Sequence, residues 1–188
     1  QVQRRRAGDS ARCALLEHQD VVLIVGAAQL NHPVAGGVHG LHKLLRMRCR
    51  AFEDGLGGNH LPDVKAIRPV FAEGAVQAFA VCLAHWADVG GARPGSYVPD
   101  ARDAWQEGMR IPPLRVFTAD GTDREKLDVI LANVRGSEER EGDILAQMAA
   151  TRSADERLQE LFASYGAATV QAAIADIHKE AFDQELKR

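Results

Sequence analysis

Apolar and polar positions along the chain mark out its elements in order. Residues 21–28 (VVLIVGAA) form a continuous apolar run, the length of a buried strand and too short for a membrane span. Residues 64–71 (VKAIRPVF) and 76–85 (VQAFAVCLAH) are rich in branched and aromatic side chains, and Glu73-Gly74 lies between them as a turn signal, so a β-hairpin is predicted. Pro69 cannot donate to a ladder, which predicts an edge strand or a bulge there. Gly and Pro then punctuate residues 88–100 (DVGGARPGSYVPD), which reads as an ordered loop, and residues 110–117 (RIPPLRVF) read as extended.

The period changes after that. Thr122 with Glu125 reads as a capping box, and Leu127, Ile130, Leu131 and Val134 recur at helical spacing until Gly136 offers a stop. A long helix is predicted over about 138–165, with a stripe of Ile144, Leu145, Met148, Leu158, Leu161, Phe162 and Tyr165, ended by Gly166. A last helix from about residue 167 places Val170, Ile174, Ile177 and Ala181 on one face. These stripes read as packing surface. Residues 1 to about 50 give little beyond the strand-like run: scattered histidines (His18, His32, His39, His42) and a Gly-rich stretch at 36–40. No repeat of solenoid period is present. The fold class expected is α+β, a β-hairpin and Gly-rich loops followed by amphipathic helices.

Composition narrows the function classes. With 188 residues and 46% apolar content the chain can bury one core, and the expectation is a soluble globular protein. The net charge of −3 hides an arginine-rich first quarter (Arg4, Arg5, Arg6, Arg46, Arg48, Arg50), which lacks the density and interleaved aromatics of a nucleic-acid arm. Cys13, Cys49 and Cys82 are odd in number and have no CxxC spacing, so reduced thiols in a cytoplasmic protein are expected; Cys82 reads as a small core residue. The chain begins with Gln and shows no secretory signal, and a truncated piece of a longer protein is expected.

Two phrases of the same shape carry the candidate chemistry: residues 57–64 (GGNHLPDV) and 84–91 (AHWADVGG), each with a histidine three positions before an aspartate. A turn at Glu73-Gly74 makes paired positions sum to 147 or 148, which sets Asp63 opposite His85 or its neighbour and His60 near Asp88. Two imidazoles and two carboxylates at the open end of a hairpin form an N/O donor set suited to Zn, Mn or Fe(II). Gly57, Gly58, Gly90 and Gly91 would let backbone approach a ligand closely. The residues alone leave a plainer reading open, in which Asp63 and Asp88 cap turns, His60 and His85 bond backbone carbonyls, and Trp86 anchors the core. GxGxxG before a helix, GxxxxGK[ST] and GxSxG are all absent, and Ser96 reads as a solvated turn serine.

From residue 57 onward the text resembles the hydantoinase B family, which includes the B component of N-methylhydantoinase, that of ATP-dependent 5-oxoprolinase, and related subunits of acetone and acetophenone carboxylases. The phrases that carry the resemblance are GGNHLPDVKAIRPVF, AHWADVGGARPGSYVPDA, QEGMRIPPLRVF, LDVILANVR, EREGDILAQMAA and RLQELFASYGAATV, in that order. They cover about residues 54–177. Before the glycines the family usually has Asn-Asp-Pro, where this chain reads FEDGLGGNH and keeps only Asp54. The division implied is a poorly matching segment 1–52 and a partial family domain 53–188, with the hairpin and metal loop at 57–100 and helices over about 123–188.

The resemblance implies a divalent ion held by His60, Asp63 and His85; the hairpin register reaches the same residues and adds Asp88 as a further ligand or outer partner, with Asp88 or Asp63 as proton acceptor. The resemblance also implies a partner, a hydantoinase A-type subunit that uses ATP to phosphorylate a small cyclic amide whose hydrolysis this subunit completes. A ketone carboxylase subunit is the alternative within the enzymes. A non-catalytic assembly module docking on the A-type subunit is the alternative outside them. Helices cut off from their usual neighbours would expose apolar stripes, so oligomers are expected.

Overall fold

The computed structural model describes residues 21–25 and 60–185. Among these residues five strands form one antiparallel sheet, β1 Val21–Val25, β2 Asp63–Ala72, β3 Ala75–His85, β4 Ile111–Thr118 and β5 Gly121–Thr122, in the spatial order β3-β2-β1-β4-β5. Three helices follow: α1 Arg124–Leu131, α2 Ser137–Tyr165 and α3 Ala167–Glu185. The class is α+β, as the patterning predicts. Among the described residues, no helix is long and apolar enough to cross a membrane.

The hairpin β2–β3 forms where its text predicts it. Glu73 and Gly74 both take positive φ (54° and 74°), the requirement of a tight two-residue turn that matches strand twist. Asp63 pairs with His85, and paired positions sum to 148 as far as Val70↔Ala78 and to 147 from Phe71↔Val76. The change marks a bulge between Val70 and Phe71, one residue past Pro69. Neither expectation for Pro69 holds as stated: it pairs in register with Phe79, the extra residue of the bulge is Gln77 on β3, and its strand is not at the edge. β2 is interior, because β1 pairs with its residues 65–67; β3 forms the edge among the described residues. β1 comes from the segment with least family likeness, yet it sits between β2 and β4.

The helix boundaries need two corrections. Asp123, not Thr122, caps α1: its carboxylate accepts the Lys126 N–H at 3.2 Å, while Thr122 is held in β5 opposite Phe117. Gly136 does not end α1, which stops at Leu131; with φ 66° it starts α2 instead. Gly166 ends α2 as expected, donating its N–H to Phe162 O at 2.9 Å.

α2 packs on the β2–β3 face, and its buried side differs from the stripe expected of it. Ile144, Met148 and Phe162 are buried, but so are Gln147, Thr151 and Asp155, while Leu145, Leu161 and Tyr165 are exposed. On α3, Val170 is buried and Ile177 is exposed. One core, with Val64, Trp86, Val89, Val116, Leu127 and Ile144, fills the space beneath the open end of the hairpin. A second, with Val70, Ala80, Phe162 and Val170, lies toward the turn. Each valine, leucine, isoleucine or phenylalanine among them contributes roughly 1.5–3 kcal/mol on full burial.

Candidate metal centre at the hairpin mouth

The first His-x-x-Asp phrase folds as a turn. Asp63 N–H donates to His60 O at 3.4 Å across Leu61 and Pro62, which brings the ends of the phrase together. The second phrase begins at the last residue of β3, His85, directly across the ladder from Asp63. Cross-strand pairing thus delivers the second imidazole to the carboxylate that the turn has already brought to the first.

The resulting geometry is compact. His85 Nδ1 lies 2.8 Å from Asp63 Oδ1, and His60 Nδ1 lies 3.7 Å from Asp63 Oδ2. The two rings stand perpendicular with centroids 5.5 Å apart. One donor atom from each of the three residues lies within 4.8 Å of the other two. Asp63 is half-buried while both imidazoles are well exposed, with side-chain accessibilities of 65% and 59%. A cation and its remaining ligands have access from solvent, and the donor set (two nitrogens, one oxygen, no thiolate) fits an ion such as Zn, Mn or Fe(II).

Asp88 is built into a different structure. It is buried, and each oxygen accepts two hydrogen bonds: Oδ1 from Gly90 N (2.7 Å) and Arg135 N (3.1 Å), Oδ2 from Gly95 N (2.9 Å) and Arg135 Nη1 (3.1 Å). Burial pushes its pKa up, but the bonds from Arg135, Gly90 and Gly95 outweigh that and hold the carboxyl below the usual range. Arg135 continues the clasp by donating to Gly91 O and Arg93 O. Asp88 is not in the donor group of His60, Asp63 and His85. The expected approach of His60 to Asp88 gives way because residues 88–96 fold toward the α1–α2 connection. Close backbone contact holds them there: a Cβ on Gly90 would lie 2.6 Å from Asn133 O, and one on Gly91 2.6 Å from Gln106 O.

Ser96 is likewise not the solvated turn residue expected. Its side chain is buried, accepting from Val89 N and donating to Gly90 O, both at 2.8 Å. Both capacities of the hydroxyl are engaged within the loop, and His85 faces Asp63 instead. Trp86 is the core anchor expected of it, 1% exposed. The scattered histidines of the first quarter (His18, His32, His39, His42), along with Asp54, Gly57 and Gly58, lie outside the described residues. Arg135 and Gln147 were missed by sequence reasoning. Both stand inside the quoted phrases LDVILANVR and EREGDILAQMAA, and the one available signal was a polar residue kept among apolar helix positions, Gln147 beside Met148 and three after Ile144.

Comparison with known proteins bears on this site. A family model described as hydantoinase B/oxoprolinase matches residues 52–185. The subunit beta of a caprolactamase from Pseudomonas jessenii is 33% identical over 130 residues, 69% of this chain and 22% of that protein. A 5-oxoprolinase 1 from Arabidopsis thaliana is 33% identical over 128 residues, 62% of this chain and 10% of that protein. The crystal structure of the ATP-dependent caprolactamase from Pseudomonas jessenii superposes with a TM-score of 0.64 over 98% of this chain and 37% of that one, at 24% identity. The chain therefore spans a minor part of the length of these relatives.

Proposed function

This chain belongs to the hydantoinase B/oxoprolinase family, and from that membership and the geometry of the hairpin mouth we propose that it forms part of the B-type subunit of an ATP-dependent cyclic amide hydrolase, with His60, Asp63 and His85 holding a divalent cation. The observation that carries the reading is the convergence of two imidazoles and a carboxylate from two separate segments at one accessible strand end. A cation bound there would supply Lewis-acid polarisation of a substrate oxygen or lower the pKa of a water. Asp63 reaches both imidazoles and so orients both. Of the two aspartates, it is also the one whose position suits a proton. Asp88 stays ionised in its clasp and fixes the loop that follows His85.

The chain has no GxxxxGK[ST] loop, so activation by ATP is assigned to an A-type partner subunit, and the substrate class is a small ring amide of the hydantoin, lactam or 5-oxoproline kind. Leu161 and Tyr165 on α2 and Ile177 and Phe182 on α3 are exposed, which favours contact with that subunit through these helices.

The test is metal content by elemental mass spectrometry after purification without chelators. The unsubstituted chain is expected to carry a near-stoichiometric transition metal, and the His60→Ala, His85→Ala double variant to lose it. A well-folded, metal-free unsubstituted chain that takes up no added metal overturns the reading.

A further inference from the structure

Gln147 sits on α2, far along the chain from both His-x-x-Asp phrases, and its side chain is 3% exposed. Its amide is fully used. Oε1 accepts the Trp86 Nε1–H at 3.0 Å, and Nε2 donates to Val64 O at 2.9 Å and to Cys82 O at 3.2 Å. An indole N–H can only donate, so the orientation of the amide is determined: oxygen toward Trp86, nitrogen toward the strands. One side chain therefore ties together β2, β3 and the residue after β3.

The places it grips are the neighbours of the donor residues. Val64 follows Asp63, Trp86 follows His85, and Cys82 lies on the same strand as His85. Beside this grip, Trp86 N–H donates to Pro62 O at 2.9 Å, which joins the turn carrying His60 to the end of β3. An apolar residue at position 147 would satisfy the helix packing equally well, since Ile144 and Met148 flank it in the same core. It would leave the Trp86 indole N–H without its partner and remove the brace from the open end of the hairpin, which would then rest on the ladder and the Trp86 backbone N–H to Pro62 O bond.

We infer that Gln147 is a positioning residue for the cation site, holding the mouth of the hairpin closed from beneath so that His85 and His60 meet Asp63 at binding distance. The inference rests on the cation reading of His60, Asp63 and His85. It explains why a polar residue stands in the buried stripe of α2, which neither helix packing nor the proposed chemistry requires.

Two measurements on the whole chain test it with Gln147→Met, which keeps length and apolar volume and removes the hydrogen bonds. The first is hydrogen exchange in the metal-free protein. The Trp86 backbone N–H is expected to lose at least tenfold in protection while amides near the Glu73-Gly74 turn keep theirs. The second is cobalt(II) titration followed by its visible absorption. The variant is expected to bind at least tenfold more weakly than the unsubstituted chain, with shifted ligand-field bands. Should Gln147→Met not fold, Trp86→Phe removes the indole N–H together with part of the buried ring, and a smaller weakening of about threefold with the same direction of band shift is expected. Unchanged exchange at Trp86, together with cobalt affinity within twofold and an unshifted spectrum, overturns the inference. Absence of cobalt binding in the unsubstituted chain overturns the cation reading, and the exchange result alone then decides whether Gln147 holds the mouth.

Discussion

Asp63 and Asp88 occupy the same place in two copies of one short phrase, yet they end in opposite environments. Asp63 lies at a strand end with two accessible imidazoles beside it. Asp88 is buried three residues past the end of β3, with four hydrogen bonds, three of them from backbone N–H groups. The first phrase closes into a turn, so its histidine and aspartate meet. In the second, the chain leaves the sheet after His85 and the pair is separated by the change of course. The same spacing therefore gathers a histidine pair around the carboxylate in one copy and builds loop architecture in the other, and what decides between them is which donors surround the carboxylate.

Substitution should separate the two aspartates most sharply in stability. Asp88→Ala leaves buried backbone donors without an acceptor and takes the carboxylate from Arg135, so a loss of about 3 kcal/mol is expected by urea unfolding. An Asp88→Ala variant as stable as the unsubstituted chain would break the comparison at its strongest point.

Acid should reveal the same difference more gently. The folded pKa of Asp88 is depressed, so its contribution is fully present above the unfolded aspartate value of about 3.9 and is lost as pH falls through the lower, folded value. The stability gap between the unsubstituted chain and Asp88→Asn is expected to be constant near neutrality and to narrow below about pH 4. Unfolding curves at a series of pH values measure it, and a gap independent of pH would show that the charge on Asp88 contributes nothing.

The smallest stability effect is expected at the other corner. Asp63→Ala removes contacts with two exposed imidazoles, and its cost should stay within about 1 kcal/mol. Its cation content should nevertheless fall to background. A variant that keeps its metal while losing several kcal/mol would exchange the roles assigned to the two residues.

Much of the hairpin was legible because its cues are local. Alternation and a two-residue turn with positive φ at Glu73 and Gly74 bring Asp63 opposite His85 or its neighbour; the pairs beside the turn sum to 147, and it is the bulge past Val70 that raises the sum to 148 and sets Asp63 against His85. The helix starts were less legible. Thr122 and Asp123 are both good caps, and pairing of Thr122 with Phe117, a tertiary fact, chose between them. The stripe of α2 was misjudged for a related reason: apolar periodicity counts Leu145 and Leu161 as core and passes over Gln147, Thr151 and Asp155, whose burial depends on polar partners.

What the residues determined by themselves is the set of short-range structures: the hairpin and its turn, the stop at Gly166, and the meeting of the two His-x-x-Asp phrases at the hairpin mouth. Tertiary structure decided the fate of Asp88, the burial of Ser96, the interior place of β2 and the grip of Gln147 on the hairpin mouth. Each of these depends on groups 6 to 83 positions apart or on a strand from a distant segment. Hydrogen-bond partners at such separations leave no periodic trace in the chain, because only folding brings the donor to its acceptor and removes the water that would otherwise satisfy both.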